Sequence, residues 1–174
     1  MTNGTLKVGE ITTSSGSGNI TIGSGVTVNV NRPAFRANMS GNQTISSDTN
    51  TKIAFDTEVF DTDSAYDTSG YKFTVPTGQA GKYLFSGWMR CDGTSLNNIQ
   101  WRYYVNGSVV SFTQTISSGT YTGAGQTTYP ALLDLSAADY VEAYAYVQSG
   151  SSITIKAASG ASTCSSWFGY KIGA

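Results

Sequence analysis

Two segments of this chain are apolar on both faces of an extended strand: Lys82-Tyr83-Leu84-Phe85-Ser86-Gly87-Trp88-Met89 and Tyr140-Val141-Glu142-Ala143-Tyr144-Ala145-Tyr146-Val147. Successive side chains of a strand point to opposite sides, so a sheet with one solvated face would show alternation instead. Here both faces need cover. In an antiparallel protein the cover is a second sheet or a second subunit. Tyr83 and Phe85 share one face of the first segment, and Tyr140, Tyr144 and Tyr146 share one face of the second. One of these two aromatic faces is expected to meet a neighbouring subunit.

The chain between and around them also reads as strands. Lys52-Ile53-Ala54-Phe55-Asp56-Thr57-Glu58-Val59 alternates, which puts Ile53, Phe55 and Val59 on one side and Lys52, Asp56 and Glu58 on the other. Ile99-Gln100-Trp101-Arg102-Tyr103-Tyr104-Val105 alternates too and runs into Asn106-Gly107, a hairpin signal because both residues tolerate positive φ. A partner strand over Ser108 to Thr113 is expected. No helical stripe occurs, and only Asp134 to Asp139 could form a turn of helix. Charged residues make up just 12% of the chain, while Tyr (11), Phe (7) and Trp (3) supply its large apolar groups, so strand formers dominate.

Residues 1 to 31 differ from the rest. They hold no aromatic residue, and Ser14-Ser15-Gly16-Ser17-Gly18 has linker composition. From Asn19 to Val30 the apolar groups Ile20, Ile22, Val26, Val28 and Val30 fall on even positions. A lone strand or hairpin is marginal in water, so this face needs the main domain, copies of itself, or another protein. The expected organisation is a leader over 1 to 31 and one β domain over 32 to 174.

Several chemistries are excluded. The chain has no histidine, which removes Ser-His-Asp and Cys-His catalysis and most zinc sites. The carboxylate pairs Asp56/Glu58 and Asp61/Asp63 read as solvated strand edges, since a reactive carboxylate also needs a shaped, desolvated pocket. Asp61, Asp63 and Asp67 could offer oxygens to calcium, but Tyr66 stands where a calcium loop wants Gly, and an Asp-rich turn is the better reading. No enzymatic activity and no cofactor are expected. With a net charge of -1 there is no footprint for nucleic acid, and no apolar run reaches the roughly 18 residues of a membrane span. Met1-Thr2-Asn3-Gly4 lacks the order of a secretion signal, so synthesis in the cytoplasm without export is expected, with Cys91 and Cys164 as free thiols.

From Arg32 onward the chain resembles the jelly-roll superfamily of the complement one-q globular head and tumour necrosis factor. Arg32-Pro33-Ala34-Phe35-Arg36-Ala37 is similar to its first strand, and Phe55-Asp56, Tyr66-Asp67, Gly70 and Phe73 to its second block. Gly70-x-x-Phe73-x-x-Pro76 leading to Gly81-x-Tyr83-x-Phe85 is the most specific match. Leu133-x-Leu135-x-x-x-Asp139-x-Val141 and Trp167-x-Gly169-x-x-Ile172 follow in the right order, with Ala138 where the family usually has Gly. The resemblance implies an antiparallel β-sandwich that forms a homotrimer with an aromatic-rich axis, to which Tyr83, Phe85, Tyr140, Tyr144 and Tyr146 are the candidate contributors.

The leader from Gly4-Thr5-Leu6-Lys7-Val8-Gly9-Glu10-Ile11-Thr12 through Thr21-Ile22-Gly23-Ser24-Gly25-Val26 is similar to leaders of virion proteins of marine and cyanobacterial phages. This resemblance implies a virion structural protein, either a head decoration or cement protein or a short fibre or knob. Its Ile20, Ile22, Val26, Val28 and Val30 would attach it to other capsid or tail proteins. A host-surface glycan- or receptor-binding adhesin of a tail fibre is the alternative expectation.

Overall fold

Residues 82–89, 99–105 and 140–147 become strand in the computed structural model, which describes Ser24 and residues 32–174 other than 94–95, 117–120, 128–129, 160–161 and 164. For strand residues among 113–129 and 158–163 it describes the backbone alone. In chain order the strands are β1 (Ala34–Asn38), β2 (Gln43–Ile45), β3 (Thr51–Lys52), β4 (Thr57–Asp61), β5 (Tyr66–Asp67), β6 (Lys72–Thr74), β7 (Gly81–Gly93) and β8 (Leu96–Val105). They continue with β9 (Ser108–Ile116), β10 (Tyr121–Thr127), β11 (Ala131–Leu135), β12 (Tyr140–Ser149), β13 (Ile153–Lys156), β14 (Ala158–Ser159), β15 (Ser162–Thr163) and β16 (Ser166–Gly173). No helix occurs among the described residues, and Ser136 to Asp139 is a turn closed by Asp139 N donating to Ser136 O at 3.2 Å.

The first sheet runs β2-β13-β7-β16-β1-β4, with β10 and β11 also on β7. Strand β7 is long enough to hold two partners on each side: β11 and β16 along its first half, β10 and β13 along its second. The second sheet runs β5-β6-β12-β8-β9, with β3 also on β12, and β14 pairs β15 separately. All the pairings are antiparallel. Asn106 and Gly107 adopt φ of 50° and 80°, and the hairpin they close pairs Val105 with Ser108, as the Asn-Gly signal requires.

Between the sheets lies an aromatic core. Phe35, Phe55, Phe73, Tyr83, Phe85, Trp101, Tyr103 and Trp167 are all buried. Phe35 is the hub, with ring centroids 4.7 Å from Tyr66, 5.1 Å from Phe73 and 4.9 Å from Trp167. Close packing dictates Gly169: a Cβ there would stand 2.4 Å from Cδ1 of Phe85.

One expectation needs correction. Lys52 to Val59 is not one strand, because β3 pairs β12 in the second sheet while β4 pairs β1 in the first. The chain crosses between sheets over residues 53–56, so Ile53 and Phe55 are buried but Val59 is exposed. Ala138, at the position where the resembled family usually has Gly, adopts φ of 71° while its N–H donates to Val75 O at 2.9 Å. An L side chain is strained in that region, and Ala138 is exposed, so no packing holds it there. Ala138→Gly is expected to stabilise the domain by about 1 kcal/mol. Denaturant unfolding checks it, and a loss of stability would contradict the strain.

Candidate interaction surfaces

Tyr83 and Phe85 belong to the core of the single chain, which corrects their assignment to a subunit interface. In β7 the set Tyr83, Phe85, Met89 and Cys91 faces the second sheet, leaving Leu84, Ser86 and Trp88 on the outside. The outward set of β16 is Phe168, Tyr170 and Ile172. Strand register assembles these into rows. Phe60, Arg36, Phe168 and Ser86 are consecutive cross-strand neighbours, and so are Ala34, Tyr170, Leu84 and Leu132.

The resulting face is apolar and uncovered by the other described residues of the domain. Leu132 is 68% exposed, Phe60 46%, Tyr170 41% and Ile172 39%. A groove of about 350 Å³ runs between Phe60, Trp88, Phe168 and Tyr170. Arg36 floors one end, its guanidinium 5.3 Å from the Trp88 ring and its Nε donating to Ser166 Oγ at 3.1 Å. A contiguous exposed apolar face of this kind marks an interaction site. The alternation Phe168, Tyr170, Ile172 in the closing strand was the sequence signal for it.

Tyr140, Tyr144 and Tyr146 do share the outward face of the second sheet, half-buried. They are occupied by local partners. Tyr144 packs against Tyr104 with centroids 4.2 Å apart and rings tilted by 34°, Tyr146 lies 4.1 Å from the Arg102 guanidinium, and Lys72 sits 5.2 Å from the Tyr140 ring. Lys52 pairs with Glu142 beside them. The attachment candidates Ile20, Ile22, Val26, Val28 and Val30 lie outside the described residues, as does Cys164.

The calcium candidates do not converge. Asp61 accepts hydrogen bonds from Asp63 N at 3.1 Å and Tyr66 N at 2.7 Å, and Asp67 accepts from Ser69 N and Gly70 N, each at 2.9 Å. Asp61 and Asp67 are turn caps, and among the described residues no three acidic, His or Cys side chains could hold a metal. Asp56 is likewise engaged, accepting from Ser40 N at 2.7 Å and Ser40 Oγ at 2.5 Å, whereas Glu58 is exposed on β4.

These contacts give stability a defined pH profile. The Ser69 hydroxyl and the Gly70 and Ser69 amides hold Asp67 below the usual carboxylate range; partial burial raises Asp56, but its bonds from Ser40 and Thr57 outweigh that. Their contribution is complete above about pH 4 and lost as pH falls through the depressed values. Burial pushes Tyr83 and the free thiol of Cys91 up to about 12 each. Their contribution is complete below about pH 9 and lost as pH rises through the raised values. With no histidine, nothing in the side chains titrates ordinarily between them. Melting temperature is therefore expected to be flat from about pH 5 to 8.5 and to fall on both sides; a transition near neutrality would contradict this.

No protein-family model matches this chain, and no curated protein matches it in sequence. Solved structures do match its shape. The globular domain of zebrafish complement 1qA protein superposes with a TM-score of 0.55 at 16% identity, covering 80% of this chain and 97% of that one. Eiger TNF from S. frugiperda gives 0.52 at 16% identity, covering 82% and 92%. The fold is the complement one-q and tumour necrosis factor jelly roll. At this identity the likeness concerns the fold alone. The jelly roll places its aromatic hub between the two sheets and leaves the apolar groove on the outside of the first.

Proposed function

We propose that this chain is a non-enzymatic structural module of a virus particle, that of a bacteriophage, in which three copies of the jelly roll associate and the leader attaches them. The observation that carries association is the uncovered apolar face of the first sheet, where Tyr170 and Leu132 flank Leu84 and Phe60 rims the groove. Such a face is stable in water when another surface covers it, and a threefold arrangement is what the family resemblance implies. The interface thus moves from Tyr83 and Phe85 to residues of the opposite face.

Assignment to a particle is supported by the leader, whose Ile20, Ile22, Val26, Val28 and Val30 form an apolar face too small to fold alone. Three leaders on one trimer would link three binding events, raising avidity by roughly 10²- to 10⁴-fold, which suits permanent attachment. Light scattering on the full chain is expected to return three times the chain mass at micromolar concentration. Deleting residues 1 to 31 is expected to leave a soluble trimer that no longer incorporates into particles. Normal incorporation of the truncated protein would overturn attachment through the leader, and a monomeric full chain would overturn the assembly.

A further inference from the structure

The outward face of the second sheet is chemically unlike that of the first. Its rings alternate with amides and one guanidinium. Register sets Tyr144 beside Arg102 on β8, and Arg102 beside Phe112 on β9. The Arg102 guanidinium lies 4.1 Å from the Tyr146 ring and 5.9 Å from that of Phe112. Its Nε and Nη2 donate to Gln100 Oε1 at 2.8 and 2.6 Å, and its Nη1 donates to Asn50 Oδ1 at 2.6 Å. The rings and the guanidinium are therefore held in place before any ligand arrives, which lowers the ordering cost of binding.

Charge on this face is balanced locally, since Lys52 pairs with Glu142, and Arg102 and Asp48 both border Tyr146. It offers no field that would select an anionic partner. One polar atom is left over. Asn98 is buried, its Nδ2 donates to Gln148 Oε1 at 3.1 Å, and its Oδ1 has no donor among the described residues. A buried acceptor without a donor is costly, and a ligand hydroxyl would relieve that cost. Phe112, 59% exposed, offers a free ring face on the same strip.

Apolar ring faces, preset amides and an unmet acceptor on a strip of balanced charge match one ligand chemistry: sugar C–H faces stack on the rings while hydroxyls meet the amides. We propose that the strip along β8 from Asn98 to Tyr104, flanked by Tyr146 and Phe112, binds a neutral oligosaccharide. The six residue-to-residue steps from Asn98 to Tyr104 span roughly 20 Å, enough for several sugar rings. This site uses the sheet opposite the apolar groove, so it stands independently of the association reading.

The test is a printed array of neutral, sialylated and sulfated oligosaccharides probed with the full chain, followed by titration calorimetry with the soluble form of the strongest neutral ligand. Calorimetry reads each chain's site whatever the oligomeric state. Neutral ligands are expected to bind equally at low and raised salt. Phe112→Ala, at an exposed position, is expected to weaken binding at least roughly tenfold, and Tyr170→Ala on the other sheet to leave it unchanged. No neutral ligand, binding to acidic glycans alone, or an undiminished Phe112→Ala variant would each overturn the proposal.

Discussion

Tyr170→Glu is expected to convert the assembled protein into monomers. Tyr170 is 41% exposed in the single chain and its cross-strand neighbours are Ala34 and Leu84, so the folded monomer loses little, and the nearby Arg36 guanidinium is already engaged by Ser166 and the Trp88 ring. In an assembly that covers this face, each copy would bury an unpaired charge, at an effective cost of several kcal/mol. Since each 1.4 kcal/mol is tenfold, association should weaken by roughly a hundredfold or more per interface. Sedimentation or light scattering across a concentration series reads the result. A variant that stays fully assembled at low concentration would move the interface to another surface.

Phe35→Ala has the largest expected effect on folding. Its ring touches Tyr66 and Phe73 face to face and Trp167 edge to face, and it is fully buried. Truncation removes the transfer free energy of the ring and leaves a cavity whose walls come from both sheets, so it is expected to cost about 3 to 5 kcal/mol. That is a large part of the 5 to 15 kcal/mol that typical domains possess. Denaturant unfolding should show the loss with an unchanged m-value. A change below about 1 kcal/mol would mean that the core collapses around the gap.

Much of this fold was legible because strands and turns are local. Asn106-Gly107 announced its hairpin, and the two-sided segments announced strands that need cover on both sides. Alternation states which side chains share a face but not which face is inward. Tyr83 and Phe85 were therefore grouped correctly and placed on the wrong side, since only the position of the second sheet decides that β7 turns them inward. The break over residues 53–56 was hidden for a related reason: Ile53 and Phe55 keep period two while the chain passes from β12 to β1 as its neighbour. The apolar groove and the Asn98 strip join residues from three or more strands. No single stretch of sequence contains either.

The pairing of β1 with β16 has a consequence for biosynthesis. Arg32 Nη1 donates to Ile172 O across 140 residues, and Phe35 waits for Trp167 to complete its surroundings. Contacts this distant in sequence are slow to form, and here they cannot form until Ser166 to Gly173 have been synthesised. The jelly roll is therefore expected to close only once β16 has emerged from the ribosome, with β1 and β7 open until then along the edges that β16 later occupies. Open strand edges recruit other chains. A stop codon before Ser166 would thus yield an aggregation-prone chain rather than a shortened domain, which makes the last strand the step that commits each molecule to its native state.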